Sequence, residues 1–193
     1  MTAAKKPALR TFFALWPDDE VRAALAERAA ATARMCAGRA PRADLLHLTL
    51  VFIGATPPER IGALRDTMDA LRVAPFTMTL DRCGWFRHTG IAWMGTHSPP
   101  PALLDLQDGL ARGAARVGFS LDVRPWIPHL TLARDARRAP PAGAIAPVAW
   151  RVDAFALVAS SLQPDGPRYR ILHQAPLVAP SPAKQPQSLT TTD

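Results

Sequence analysis

The chain has 193 residues, which is enough for one substantial domain or two small lobes. Its hydrophobic fraction of 48% is enough to form a packed core. Lys and Arg outnumber Asp and Glu by 23 to 16, and the formal charge of +7 favours anionic partners such as nucleic acid or phosphorylated small molecules. No apolar run reaches the length of a membrane span.

The first half of the chain alternates strand-like and helix-like segments. Residues 9–16 are apolar and predict a first strand, and the Ala-rich residues 17–38 predict a helix. Residues 45–53 predict a second strand. Thr56 and Glu59 have the spacing of a capping box, which predicts the start of a second helix.

The second half predicts a hairpin, a helix, a strand and a closing pair of strands around a Gly166 turn. The hairpin consists of residues 76–86 and 91–95, and the helix of residues 103–117. The next strand lies within residues 119–134, and the closing pair consists of residues 150–162 and 168–177. We expect residues 1–8 to be a flexible N-terminus, residues 9–177 to form the folded domain, and the Pro-containing residues 178–193 to be a disordered tail.

The two cysteines indicate the compartment. Cys36 and Cys83 form no CxxC pair, so a disulfide framework and a zinc ribbon are both disfavoured. The N-terminal apolar run is short and soon acidic, unlike a signal peptide. We therefore expect reduced thiols in a cytoplasmic protein.

A histidine and a threonine two residues apart occur twice in similar surroundings. The stretch LLHLTLVFIG contains His47 and Thr49, and PHLTLAR contains His129 and Thr131. Residues i and i+2 of a strand share a face, so each strand presents an imidazole beside a hydroxyl, with leucines behind them. One such tetrapeptide alone is more often structural, but its repetition favours a functional site.

Two imidazoles and two hydroxyls suit the cleavage of a phosphate ester. Histidine exchanges protons near neutral pH, so one ring can take a proton from a nucleophile while the other gives one to a leaving group. Threonine hydroxyls can donate to anionic oxygens. No carboxylate cluster or Cys/His ligand set accompanies the motifs, so the chemistry needs neither a metal nor a cofactor.

The paired His-x-Thr strands resemble the two-histidine phosphoesterase superfamily. Their flanks resemble its RNA 2′,3′-cyclic phosphodiesterase branch, whose members are also called 2′-5′ RNA ligases. The similarity extends over residues 9–177 and rests on LRTFFALWPDDEVR, HLTLVFIG, CGWFRHTGIAWMG, PHLTLAR and SSLQPDGPRYRIL. The approach to the first motif, APRADLLHLTL, departs from the branch's usual pattern, which bears on substrate fit and leaves both motifs intact.

The resemblance implies an α+β, bilobal fold with two pseudo-symmetric sheet-and-helix lobes around a central cleft. It implies that His47 is the proton donor to the leaving ribose oxygen and that His129 is the proton acceptor from water. It also implies that Thr49 and Thr131 hold the phosphate.

Further side chains have weaker signals. Arg134 matches the arginine of the second motif and suits a phosphate or a base face, with a solvated charge as the alternative. Phe86 matches a hairpin aromatic that can stack a base, with core packing as the alternative. Arg87 is more typical of an ordinary surface charge, and Tyr169 of a packing residue. Three histidines lack a threonine partner and are interpreted as surface or structural residues: His88, His97 and His173.

The sequence thus predicts a metal-independent enzyme that hydrolyses RNA 2′,3′-cyclic phosphate ends to 2′-phosphomonoesters. Its expected partners are such RNA ends, tRNA fragments among them, or a cyclic nucleotide, and we expect a monomer that does not bind membranes. One alternative is a 2′-5′ RNA ligase that joins tRNA halves. The other is a non-catalytic module that binds RNA ends.

Overall fold

Nine strands and three α-helices make up the part of the chain that the computed structural model describes, residues 7–141, 145–164 and 166–180. The strands are β1 (Leu9–Leu15), β2 (Leu48–Thr56), β3 (Phe76–Leu80), β4 (Arg82–Phe86), β5 (Ile91–Gly95), β6 (His129–Ala133), β7 (Val148–Val152), β8 (Ala154–Gln163) and β9 (Gly166–Pro176). The helices are α1 (Asp19–Cys36), α2 (Ile61–Ala70) and α3 (Pro101–Arg116). Most of the predicted N-terminus and tail lies outside the described residues.

Seven strands form one antiparallel sheet in the order β4-β5-β6-β2-β1-β8-β9. Strands β2 and β6, which carry the two motifs, are neighbours near its middle, where Leu48 pairs with Leu130. One half of the sheet, β4-β5-β6, therefore meets the other half, β2-β1-β8-β9, along the two His-x-Thr strands. The architecture confirms the predicted α+β fold.

The predicted hairpin is shorter than the sequence suggested. Strands β4 and β5 do pair, but β3 leaves the sheet at Asp81 and pairs with β7 in a separate two-stranded sheet. Alternate residues of β3 are buried, as are alternate residues of β7, so this pairing removes both apolar faces from water. The partner strand is far along the chain, and local alternation cannot identify it.

The predicted capping box at Thr56 and Glu59 is wrong. Thr56 is the last residue of β2, and its buried hydroxyl lies 2.6 Å from the Thr11 hydroxyl of β1. A 3-10 turn, Pro58–Arg60, precedes α2 and uses no side-chain cap. The Thr56 hydroxyl donates to the carbonyl of Gly54 and contacts Thr11 across the strand pair, so it does not cap α2.

The two faces of the large sheet differ. Leucines of β2 and β6, among them Leu48 and Leu130, are buried in the main core together with residues of α1, α2 and α3. The opposite face carries a small separate cluster of buried residues, Phe12, Ala14, Ala156 and Val158, and this cluster contains no helix residue. The helices therefore cover the leucine side and leave the histidine side accessible. Cys36 and Cys83 are free thiols, and no described helix is long and apolar enough to cross a membrane.

Candidate active site

The strand register brings the four predicted polar groups together. Leu48 of β2 lies opposite Leu130 of β6, and both side chains are fully buried. Continuing this antiparallel register by one residue in each direction sets His47 against Thr131 and Thr49 against His129. Residues opposite each other share a face and have Cβ atoms about 5 Å apart. Each histidine is therefore next to the threonine of the other motif.

Hydrogen bonds fix the orientation of the His47 ring. Nδ1 lies 2.7 Å from the carbonyl oxygen of Leu45, and Nε2 lies 3.1 Å from Oγ1 of Thr49. A carbonyl can only accept, so Nδ1 carries the proton of the neutral ring and Nε2 accepts from the Thr49 hydroxyl. This arrangement keeps the Nε2 lone pair on the face that the two motifs share.

Three aromatic rings surround His47. Trp16 stacks on the imidazole at 5.2 Å with an interplanar angle of 10°, Phe12 lies at 5.1 Å, and Tyr169 meets it edge-on at 5.2 Å. Burial lowers the pKa of His47 to about 4. The hydrogen bond to the Leu45 carbonyl raises this pKa, whereas the charges of Arg134 and His129 lower it further. The free protein therefore holds this ring neutral at pH 7.

His129 repeats the backbone contact in a different setting. Its Nδ1 donates to the carbonyl of Ile127 at 2.8 Å, again two residues earlier in the chain. Phe86 meets the ring edge-on at 5.0 Å, and Trp93 lies at 6.1 Å. Burial lowers the pKa of His129 below its usual value, and the hydrogen bond to Ile127 opposes that change.

The position of Phe86 depends on a glycine. The Trp93 indole lies against the backbone of Gly84 so closely that a Cβ atom there would be 2.0 Å from the ring. Phe86 then packs on Trp93 at 5.3 Å and on His129. The predicted residue is half-buried at the edge of the site, where it supports the catalytic candidate His129.

Arg134 is held at the site by its backbone. It exchanges two hydrogen bonds with Arg39, of 2.8 and 2.9 Å, and its carbonyl approaches Gly38 so closely that a Cβ atom there would clash at 2.7 Å. Its charge lowers the pKa of His47, which is consistent with a guanidinium near that ring. Arg134 thus lines the same pocket as His47, with an exposed side chain.

A small open pocket of about 290 Å³ lies on the His47 side. Its lining residues are Pro41, Leu45, His47, Thr131, Arg134, Pro167 and Tyr169. Neither His129 nor Phe86 lines it, so the two histidines are not equally enclosed. Arg87 is exposed in a 3-10 turn and also lies outside the pocket.

Sequence reasoning missed two residues of the site. Tyr169 does pack, as predicted, but it packs on His47 and lines the pocket. Burial raises its pKa, against the opposing charges of Arg134 and Arg10. The sequence places Trp16 only at a strand end, and no local signal indicates that its indole stacks on His47.

The remaining histidines are outside the site. His97 contacts Asp81 at 3.2 Å, His173 contacts Asp69 at 2.7 Å, and His88 is exposed in the turn after β4. Among the described residues, no group of three or more His, Cys, Asp or Glu side chains is arranged to hold a metal ion. The donor set at the site is two imidazoles, two hydroxyls, a phenol and a guanidinium.

A comparison with protein-family models identifies residues 16–163 as a match to the 2′-5′ RNA ligase superfamily, which is most of the chain. The chain belongs to this superfamily. Both His-x-Thr motifs lie within the matched region, so the family assignment and the site rest on the same residues.

Two curated relatives are similar to this chain over most of their length. The chain is 37% identical to the RNA 2′,3′-cyclic phosphodiesterase of Escherichia coli, over 83% of this chain and 92% of that protein. It is 34% identical to the enzyme of the same name from Thermus thermophilus, over 86% of this chain and 89% of that protein.

Solved structures of the superfamily agree with the fold. The structure of E. coli LigT complexed with 3′-AMP matches with a TM-score of 0.80 at 36% identity, over 88% of this chain and 98% of that one. A structure described as a phosphoesterase matches with a TM-score of 0.81 at 35% identity, over 89% and 99% of the two chains.

Proposed function

We propose that this member of the superfamily hydrolyses RNA 2′,3′-cyclic phosphate ends to 2′-phosphomonoesters, with His47 and His129 as its general acid and base. The observation that carries the proposal is the β2–β6 pairing of Leu48 with Leu130, which supports a common face for the two motifs because the residues on either side of each leucine point to the same side of the sheet. The names of the E. coli and T. thermophilus relatives support the reaction class.

The reaction needs one proton taken and one proton given. His129 removes a proton from water as the water oxygen attacks phosphorus. The bond from phosphorus to the ribose 3′-oxygen breaks, and His47 gives its proton to that oxygen. Attacking and leaving oxygens lie roughly in line with phosphorus, so the two imidazoles act from opposite sides of one phosphate.

Substrate binding supplies the acid form of His47. In the free protein its pKa of about 4 leaves it neutral near pH 7. A bound phosphodiester brings a negative charge close to the ring, which favours the imidazolium and raises the pKa. The resemblance assigns the acid to His47 and the base to His129, while both rings share one tautomer in the free protein.

The phosphate is held by charge and by hydroxyl groups. Arg134 and Thr131 line the same pocket as His47, and Thr49 already contacts the His47 ring. A guanidinium forms charge-assisted hydrogen bonds to phosphate oxygens, which are stronger than those of a neutral hydroxyl. We therefore expect Arg134 to contribute more to phosphate binding than either threonine.

The test is the fate of a short RNA ending in a 2′,3′-cyclic phosphate, incubated with enzyme in the presence of EDTA. We expect full conversion to a linear monophosphate end, at the same rate as without EDTA. Joined RNA products would indicate the ligase alternative, and tight binding without turnover would indicate the binding module. A cytoplasmic location, the monomeric state and tRNA fragments as substrates stay predictions from the sequence.

A further inference from the structure

An exposed aromatic residue lies on the histidine face of the sheet, outside the pocket. Phe52 of β2 is 49% exposed, whereas its neighbours Val51 and Ile53 are 6% and 7% exposed. The guanidinium carbon of Arg10 in β1 lies 4.9 Å from the centre of the Phe52 ring. The two side chains form an open, flat, positively charged surface.

This surface is continuous with the candidate active site. Phe52 lies opposite Phe12 in the β1–β2 ladder, so their side chains share a face, and the Phe12 ring lies 5.1 Å from His47. Arg10 is two residues before Phe12 on the same strand, and its charge opposes the rise that burial causes in the pKa of Tyr169, which lines the pocket. Phe12 itself is buried, and the exposed connection runs through Tyr169, which lies opposite Ser160 of β8 just as Arg10 does from the other side.

We propose that Arg10 and Phe52 form a subsite for a nucleotide on the 5′ side of the cyclic phosphate. The proposal rests on the proposed function, which supplies an RNA substrate with its reactive end at His47. The unpaired base stacks on the guanidinium plane, and the Phe52 ring supports that plane from below. Aromatic rings and arginine planes are the surfaces on which proteins stack unpaired RNA bases.

The subsite distinguishes RNA from a mononucleotide. A 2′,3′-cyclic mononucleotide has no second base to place on Arg10. A longer strand gains the stacking contact, which is sequence-tolerant because every base has an aromatic face. The ratio of kcat/KM for RNA to kcat/KM for 2′,3′-cyclic AMP therefore reports this surface separately from the chemistry.

The experiment measures that ratio with oligonucleotides of one to five nucleotides that end in the same 2′,3′-cyclic adenosine. We expect the ratio to rise with length in the wild-type enzyme and to fall roughly tenfold for the longer RNAs in Phe52→Ala, the scale of one lost base stack. Phe52→Tyr keeps the ring and is expected to keep the ratio. Arg10→Lys keeps the charge but loses the planar surface, and is expected to lower the ratio as Phe52→Ala does.

The chain offers a matched control. Arg60 lies 5.4 Å from the centre of the Phe119 ring, in a second Arg–Phe pair that packs against the main core near α2 and α3. Arg60→Ala removes the same charge and is expected to leave the ratio at its wild-type value. Arg151→Ala tests a second exit, because Arg151 lines a groove beside Trp16.

Several results would overturn the subsite. The first is that Phe52→Ala or Arg10→Lys keeps the wild-type ratio of kcat/KM for RNA to kcat/KM for 2′,3′-cyclic AMP. The second is that Arg151→Ala lowers this ratio and the variants of Phe52 and Arg10 do not. Dissociation constants for RNA ending in a 2′-phosphate, compared with 2′-AMP, give the same ratio without turnover. An enzyme that turns over neither substrate would contradict the proposed function, and the binding ratio would still decide the subsite. Phe52→Leu replaces Phe52→Ala if the alanine variant unfolds at a lower temperature.

Discussion

The two His-x-Thr strands share a backbone arrangement and differ in their surroundings. In each motif Nδ1 of the histidine donates to the carbonyl two residues earlier, at 2.7 Å for His47 and 2.8 Å for His129. Around His47 three rings close in, one of them stacked, and a pocket opens beside it. Around His129 two rings approach edge-on and neither stacks on it, and the half-buried imidazole lies outside the pocket.

Identical tetrapeptides therefore have different proton affinities. Burial lowers both pKa values, and the enclosed His47 reaches about 4. A general acid must hold a proton before it can give one, so the low pKa of His47 in the free protein means that the role of proton donor depends on the negative charge of the bound substrate, which favours the imidazolium. The difference comes from the aromatic residues supplied by distant strands, and the motif itself does not encode it.

Removing either histidine should give the largest effect. His47→Ala and His129→Ala are each expected to lower kcat about a hundredfold to ten-thousandfold, the usual contribution of one general acid or base. The double variant should lose little more than the worse single variant, because the two groups act as a unit. Steady-state rates on 2′,3′-cyclic AMP measure this. Near-normal turnover in either single variant would remove that residue from the mechanism.

Removing the charge of Arg134, at the end of β6, should give the second-largest loss of activity. Arg134→Ala is expected to lower kcat/KM by about 1.5–3 kcal/mol, or roughly tenfold to 150-fold, because a charge-assisted hydrogen bond to phosphate is lost. Arg137→Ala, three residues further on in an exposed position, is the matched control and should behave like the wild type. Equal behaviour of the two variants would make Arg134 an ordinary solvated charge.

Removing either threonine hydroxyl should lower kcat/KM less than removing Arg134, and the two variants should differ in their pH dependence. Thr49→Val and Thr131→Val each remove a neutral donor, so we expect losses of about 0.5–1.5 kcal/mol in kcat/KM. Thr49 also contacts Nε2 of His47 at 3.1 Å, so Thr49→Val should additionally change the pH dependence. The measurement is kcat/KM against pH for both variants. Identical profiles would show that this contact has no influence on His47.

The smallest effect concerns pH and tests the difference in burial. Substrate charge raises both histidine pKa values, so the optimum of kcat, which reports the complex, should lie at higher pH than that of kcat/KM, which reports the free enzyme. Trp16→Ala should admit water to His47 and raise its pKa from about 4 toward the usual value, because burial is the main cause of the shift.

Histidine titration by NMR measures this for the two rings separately. We expect His129, which does not touch Trp16, to titrate in Trp16→Ala as it does in the wild type. An unchanged His47 titration in that variant would show that the stacked indole is not what keeps water away.

The free energy of unfolding should depend on pH through the buried His47. The folded pKa of His47 lies below that of an unfolded histidine, so the unfolded chain binds more protons between about pH 6.5 and 4. The free energy of unfolding therefore falls as the pH decreases through this window. Substituting His47 by a residue that does not titrate should flatten that part of the curve.

Local patterns predicted much of the fold and the reacting groups. Period-two alternation located β2 and β6, and the repeated tetrapeptide selected His47 and His129 without any partner being known. What failed depends on distant partners: the Thr56 hydroxyl bonds Thr11 across a strand pair instead of capping a helix. Trp16 likewise acquires its role only when β1 lies beside β2, because its indole then stacks on His47.

The most direct test of the central claim is the isomer formed from 2′,3′-cyclic AMP, resolved by chromatography. In the proposed mechanism two imidazoles act from opposite sides of one phosphate and enforce a single line of attack, so we expect the enzyme to expel one ribose oxygen selectively. With the 3′-oxygen beside His47, as the family resemblance implies, the product is 2′-AMP. Predominant 3′-AMP would reverse the orientation assigned to the two histidines, and a mixture of both isomers would contradict the two-histidine geometry itself.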